Sequence, residues 1–146
     1  MKKRLTRPRE LRPREAIKGV STVEYVLVMT PRYNERKNRT VIYIALRTVK
    51  EFRHFRYDIV VEHSLEGRRL RFDIQGLRAP ELTFAGVGPA IFETEYDNLS
   101  GKYEVVVTKL RKEVNRFHVN ISPGSVLVEK VPGAKFVNLI NRMEVL

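Results

Sequence analysis

The sequence predicts an all-β protein, an antiparallel β-sandwich of about eight strands, with an up-and-down β-barrel as the alternative way of closing the same strands. Two observations predict it. Apolar and polar residues alternate with a two-residue period through much of positions 20–131, which puts one face of each strand in a core and the other in water. Turn residues recur every 8–12 positions, at the spacing of short hairpin-linked strands.

The elements follow in order. "TVEYVLVMT" (22–30) is rich in β-branched and aromatic residues and reads as a strand. "PRYNERKNR" (31–39) is a basic, polar loop, and "TVIYIALRT" (40–48) is apolar almost throughout, as a central strand covered on both faces would be. Phe55, Tyr57, Ile59 and Val61 share one parity against Arg56, Asp58 and Glu62. After the turn "SLEGR", Leu70, Phe72 and Ile74 alternate with Arg71, Asp73 and Gln75. This is a hairpin with one dry face. "GLRAPELTFAGVGPA" (76–90) holds three glycines and two prolines and marks a crossover. Alternation resumes at Phe92, Thr94 and Tyr96, then at Tyr103, Val105 and Val107, then at Phe117, Val119 and Ile121. "VLVEKV" (126–131) is the last strand. Phe136, Leu139, Ile140 and Met143 then fall at i, i+3, i+4 and i+7, the stripe of a short C-terminal helix. The domain so drawn spans 20–131, and 132–146 is a separate C-terminal element. Val23, Leu27, Ile44, Ile59, Phe72, Val105, Val119 and Val128 are its expected core.

Residues 1–19 stand apart. "RPRELRPRE" (7–15) repeats a four-residue unit around Leu11. Pro8 and Pro13 push the preceding arginines out of helical geometry and remove backbone donors, while like charges extend the chain. The segment reads as a disordered basic leader.

Charge is the feature that bears on function. The chain carries +11, and all of it lies early: residues 1–56 hold 16 Lys and Arg against five acids, and residues 57–146 hold 12 of each. Two stretches carry the excess, the leader and residues 32–56. The anion- or nucleic-acid-binding candidates are therefore Lys2, Lys3, Arg4, Arg7, Arg9, Arg12 and Arg14 in the first, and Arg32, Arg36, Lys37, Arg39, Arg53 and Arg56 in the second. Guanidinium groups neutralise phosphates or carboxylates, and interleaved rings (Tyr33, Tyr43, Phe52, Phe55) stack bases where they are exposed. The parity pattern assigns Tyr43 and Phe55 to the core and leaves Tyr33 and Phe52 open between core and surface.

Chemistry-bearing motifs are absent. There is no cysteine, hence no disulfide and no thiolate chemistry, as in a chain kept in the reducing cytoplasm. The three histidines, His54, His63 and His118, have no metal-ligand spacing. Glu93, Glu95 and Asp97 line one strand face at about 7 Å intervals; the plain reading is a charged edge strand that discourages aggregation. "AGVGPAIF" (85–92) lacks the Lys-Ser/Thr of a phosphate loop. No apolar run reaches the ~20 residues of a membrane span. The sequence thus points to a soluble, non-catalytic binding or scaffolding domain without cofactor or metal, steered by its basic N-terminal region to an acidic protein partner. An RNA- or DNA-binding protein is the alternative. A small-ligand carrier or hydrolase with a barrel pocket comes after it.

Overall fold

The computed structural model describes residues 22–79 and 86–143; the leader, with Lys2, Lys3, Arg4, Arg7, Arg9, Arg12 and Arg14, lies outside them. Nine strands form among the described residues: β1 (Tyr25–Asn34), β2 (Arg39–Phe52), β3 (Asp58–Glu66), β4 (Arg69–Arg78), β5 (Gly88–Tyr96), β6 (Gly101–Lys109), β7 (Glu113–Ser122), β8 (Ser125–Lys130) and β9 (Val137–Ile140). They make one sheet in the order β9-β1-β2-β5-β3-β4-β6-β7-β8, curled into a nearly closed barrel. The closure is that of the barrel alternative. The path is not up-and-down, because β1 with β9, β3 with β5 and β4 with β6 are parallel. No helix among these residues is long and apolar enough to cross a membrane.

Local chemistry sets the turns. Glu66 pairs with Arg69 across a two-residue hairpin loop, and Gly67, with φ of 62°, takes the first central position, where a type II′ turn needs a residue tolerant of positive φ. In the β1–β2 loop the Asn34 side chain accepts from the Lys37 amide at 3.1 Å, an Asx-type contact that nucleates the reversal. The register of β3 and β4 slips between Val60 and Val61, and Gly76 opposite adopts φ of 151°, a bulge that suits glycine. A second slip, between Arg47 and Glu51 on β2, is filled by buried Thr48, whose Oγ1 accepts from the Ala90 amide at 2.9 Å.

The barrel interior is packed with buried apolar side chains. Leu27, Met29, Ile44, Leu46, Leu70, Phe72, Ile74 and Phe117 are each at most 1% exposed. Of the expected core, Leu27, Ile44, Ile59, Phe72, Val105 and Val119 are buried, whereas Val23 and Val128 are half-buried. The apolar continuity of β1 and β2 has its own cause. Val26, Val28, Tyr43 and Ala45 form a second buried cluster with Ile140 on the outer face, so both strands are covered on both sides.

The expected C-terminal helix does not form among the described residues. Residues 137–140 are strand β9, in the same sheet as the rest and parallel to β1, with Val137 opposite Tyr25 and Ile140 opposite Val28. The reason is burial. A helix on the Phe136–Leu139–Ile140–Met143 stripe would turn Val137 outward, yet Val137 is 0% exposed and Met143 is 54% exposed. The open edge of β1 also offers backbone partners, and Glu24 and Tyr25 donate their amides to the Phe136 carbonyl at 2.8 and 3.1 Å. At the other edge, Asn141 Nδ2 donates to the Val126 carbonyl of β8 at 2.8 Å, which ties the two ends of the sheet together.

One joint is thin. β3 and β5 share a single pairing, Asp58 with Ile91, where the Ile91 amide donates to the Tyr57 carbonyl at 3.2 Å. Beyond it the strands splay and side chains bridge them: His63 packs on Phe72, Phe92 and Tyr96, with Nδ1 2.6 Å from the Tyr96 hydroxyl.

Strand directions define two ends. The proximal end carries the chain before β1, the β2–β3 loop, the β6–β7 turn and the start of β9. The distal end carries the β1–β2, β3–β4, β5–β6 and β7–β8 turns.

Candidate anion-binding surface

The basic stretch 32–56 does not stay together. β2 runs 14 residues between its halves, roughly 40 Å at ~3.3 Å per residue. Arg32, Arg36, Lys37 and Arg39 therefore sit at the distal end, and Arg53 and Arg56 at the proximal end.

At the distal end the cations are mostly answered. β5 lies beside β2, which brings Glu93, Glu95 and Asp97 to the outer face next to them. Arg32 bonds Glu95 at 3.0 Å and lies over the Tyr43 ring, 3.9 Å from its centroid. Asn34 Nδ2 donates to the other oxygen of Glu95 at 2.9 Å. Lys37 and Arg39 both bond Asp97, at 3.1 and 2.8 Å. Tyr43, 4% exposed, donates its hydroxyl to Glu93; burial first, and the carboxylate it faces second, push its pKa up to about 12. Arg36 alone of these four cations has no ion pair among the described residues. The acid row is thus not an edge guard, since β5 is an interior strand of the sheet. It is the counter-charge of the basic stretch. With each carboxylate engaged, the row offers no unengaged acid–base pair.

This network makes stability pH-dependent. The Arg32 and Asn34 bonds hold the Glu95 carboxyl below its ordinary pKa, and the Lys37 bond, with Arg39, does so for Asp97. A depressed carboxyl adds stability that is complete above the unfolded-state pKa of about 4. It is lost as pH falls through the lower folded-state values, because the unfolded chain takes up its protons first. A Glu95→Gln/Asp97→Asn variant is therefore less stable than the parent at neutral pH, and urea titrations show the gap closing below about pH 4. A gap that holds constant with pH would refute the assignment.

At the proximal end the cations at the close of β2 and in the β2–β3 loop, Lys50, Arg53, His54 and Arg56, are exposed and have no ion-pair partner among the described residues. The acids nearest in sequence are Glu51, exposed, and Asp58, which lies 3.7 Å from Arg78. The loop is nevertheless fixed. The Gly86 amide donates to the His54 carbonyl at 3.3 Å. Arg56 lies along Gly86 and Gly88, where a Cβ at Gly86 would come within 3.1 Å of its Nε, so a side chain at Gly86 would displace the arginine. Phe52 meets Tyr57 edge to face at 5.0 Å, and Phe55 meets Tyr57 likewise at 6.4 Å; Lys50 Nζ stands 5.1 Å from the Phe52 centroid.

The rings sort differently from their parity. Phe55, expected in the core, is 37% exposed, because the β2–β3 loop interrupts the alternation there. Tyr43 is buried, but on the outer face. Tyr33 is 55% exposed with its hydroxyl bonded to Asn38, and Phe52 is half-buried against the core. Sequence reasoning passed over Lys50 and His54; the signal was the "KEFRHFR" run (50–56), which breaks the two-residue period while interleaving cations and rings.

Elsewhere a depression of about 720 Å³ lies across the outside of β3, β4 and β6, lined by Glu62, His63, Ser64, Arg71, Asp73, Thr108 and Arg111. Asp73 there accepts from Thr108 at 2.7 Å and lies 3.7 Å from Arg111. Among the described residues no three His, Asp or Glu side chains converge as a metal site. No family model, curated protein or solved structure matches this chain.

Proposed function

We propose that this chain is a non-catalytic binding module that docks an anionic partner on the proximal end of its barrel. The observation that carries the reading is the contrast between its two basic groups: Arg32, Lys37 and Arg39 spend their charge on β5, whereas Lys50, Arg53 and Arg56 are exposed and have no counter-ion among the described residues. Unpaired guanidiniums on a fixed loop raise the local concentration of an anion and bind it at little ordering cost.

Topology supports it further. The chain enters β1 at this same end, where the Val49 amide donates to the Glu24 carbonyl at 2.9 Å. Residues 1–18, with eight Lys and Arg, precede that entry point in sequence. An interior packed with apolar side chains and an acid row, Glu93, Glu95 and Asp97, already engaged favour docking over ligand carriage or hydrolysis.

The test is retention on immobilised heparin across a salt gradient. Arg53→Ala and Arg56→Ala each elute at lower salt than the parent and lower the slope of log affinity against log salt by about one. Arg36→Ala, the matched loss of one exposed charge at the distal end, elutes with the parent. Equal shifts for Arg36→Ala and Arg53→Ala, or no shift for either, would defeat the proposal.

A further inference from the structure

We infer that the anion taken at the proximal end is a single-stranded nucleic acid, with Phe55 stacking a base while Arg53 and Arg56 hold the flanking phosphates; this rests on the docking surface proposed above. An acidic protein offers carboxylates, for which the arginines suffice, and it gives an exposed phenyl ring no particular task. Phe55 stands two residues after Arg53 and one before Arg56, and 37% of it is open. It is not a loose ring, because Tyr57 meets it edge to face at 6.4 Å with an interplanar angle of 87°. Tyr57 in turn packs on Phe52, which rests against the core. A ring held this way loses little freedom on stacking. The neighbouring guanidinium of Arg56 is likewise confined along Gly86 and Gly88.

Charge and a flat apolar face thus occur together within the four residues 53–56. A single strand presents the same pair, a charged backbone with unstacked bases along it. A duplex presents the charge but keeps its bases stacked, and a polycarboxylate has no rings at all.

The experiment uses the full chain and four fluorescent or competing probes: oligo-uridylate, oligo-thymidylate, a DNA duplex of equal length, and polyglutamate. Binding is read by anisotropy at fixed salt. Phe55→Ala is expected to weaken both single strands about tenfold, a typical loss for one stacked base, and to leave duplex and polyglutamate unchanged. Phe55→Trp, which keeps the stacking face, is expected to bind single strands at least as well as the parent, and this guards against a fold defect in the alanine variant. Arg53→Ala weakens all four probes. If Phe55→Ala lowers every probe alike or none, the stacking role is refuted. If the parent binds polyglutamate and duplex in an Arg53-dependent way but prefers no single strand, this inference fails and the docking surface stands. If the parent binds none of the four, both fall.

Discussion

Phe136→Ala lowers the free energy of unfolding by about 3–5 kcal/mol, the usual cost of emptying a buried phenylalanine site. Phe136 is 4% exposed and sits where the proximal end of the barrel is closed. Its ring meets Tyr25 edge to face at 6.5 Å, and Lys109 Nζ stands 5.3 Å from its centroid. Lys109 in turn bonds Glu24 and Glu113, each at 2.9 Å; those carboxylates, Glu113 first, hold its pKa above the ordinary lysine value. The Phe136 carbonyl receives the amides of Glu24 and Tyr25, so the ring anchors the point where β9 joins β1. Urea unfolding of the variant reads the loss directly. A change under about 1 kcal/mol would mean that the site collapses without penalty, against the range found for such truncations, and that β9 is not held by this residue.

Local rhythm was enough to read most strands, because the two-residue period reports each residue's own surroundings. The β3–β4 hairpin shows this best: Leu70, Phe72 and Ile74 face inward, and Gly67 makes the turn. What the period does not report is which strand lies beside which. β5 is inserted between β2 and β3, so the partners of Glu95 and Asp97 are Arg32, Lys37 and Arg39, some 60 residues away in sequence. Without that adjacency the acid row reads as an edge and the arginines as unpaired. The proximal group was visible as "KEFRHFR", but its exposure depended on where β2 stops and the loop starts. The C-terminus failed for a related reason. Five apolar residues among the eight of 136–143 satisfy a helical stripe and a strand equally, and the decision came from an open edge on β1, a tertiary fact.

Asn115→Ala is expected to destabilise the protein by about 3–5 kcal/mol, since the single truncation strands several buried polar groups at ~1–3 kcal/mol each. Asn115 is 4% exposed and sits at the dry parity of β7, in line with Phe117, Val119 and Ile121. It is there because the 131–136 connection turns back under the barrel without a strand partner of its own. Oδ1 accepts the amides of Phe136 and Val137 at 2.9 and 3.2 Å, and Nδ2 donates to the Ala134 and Val114 carbonyls at 3.2 Å each. One side chain thereby does what a neighbouring strand would do, and buried amides left without it have no water to turn to. The sequence held the clue, a polar residue at the head of an otherwise apolar row. Asn115→Leu separates the causes, because it restores volume but no hydrogen bond. If unfolding shows Asn115→Leu as unstable as Asn115→Ala, the bonds are what matter. If leucine recovers the parent's stability, the site is a packing site and the connection is held by Phe136 and Val137 alone.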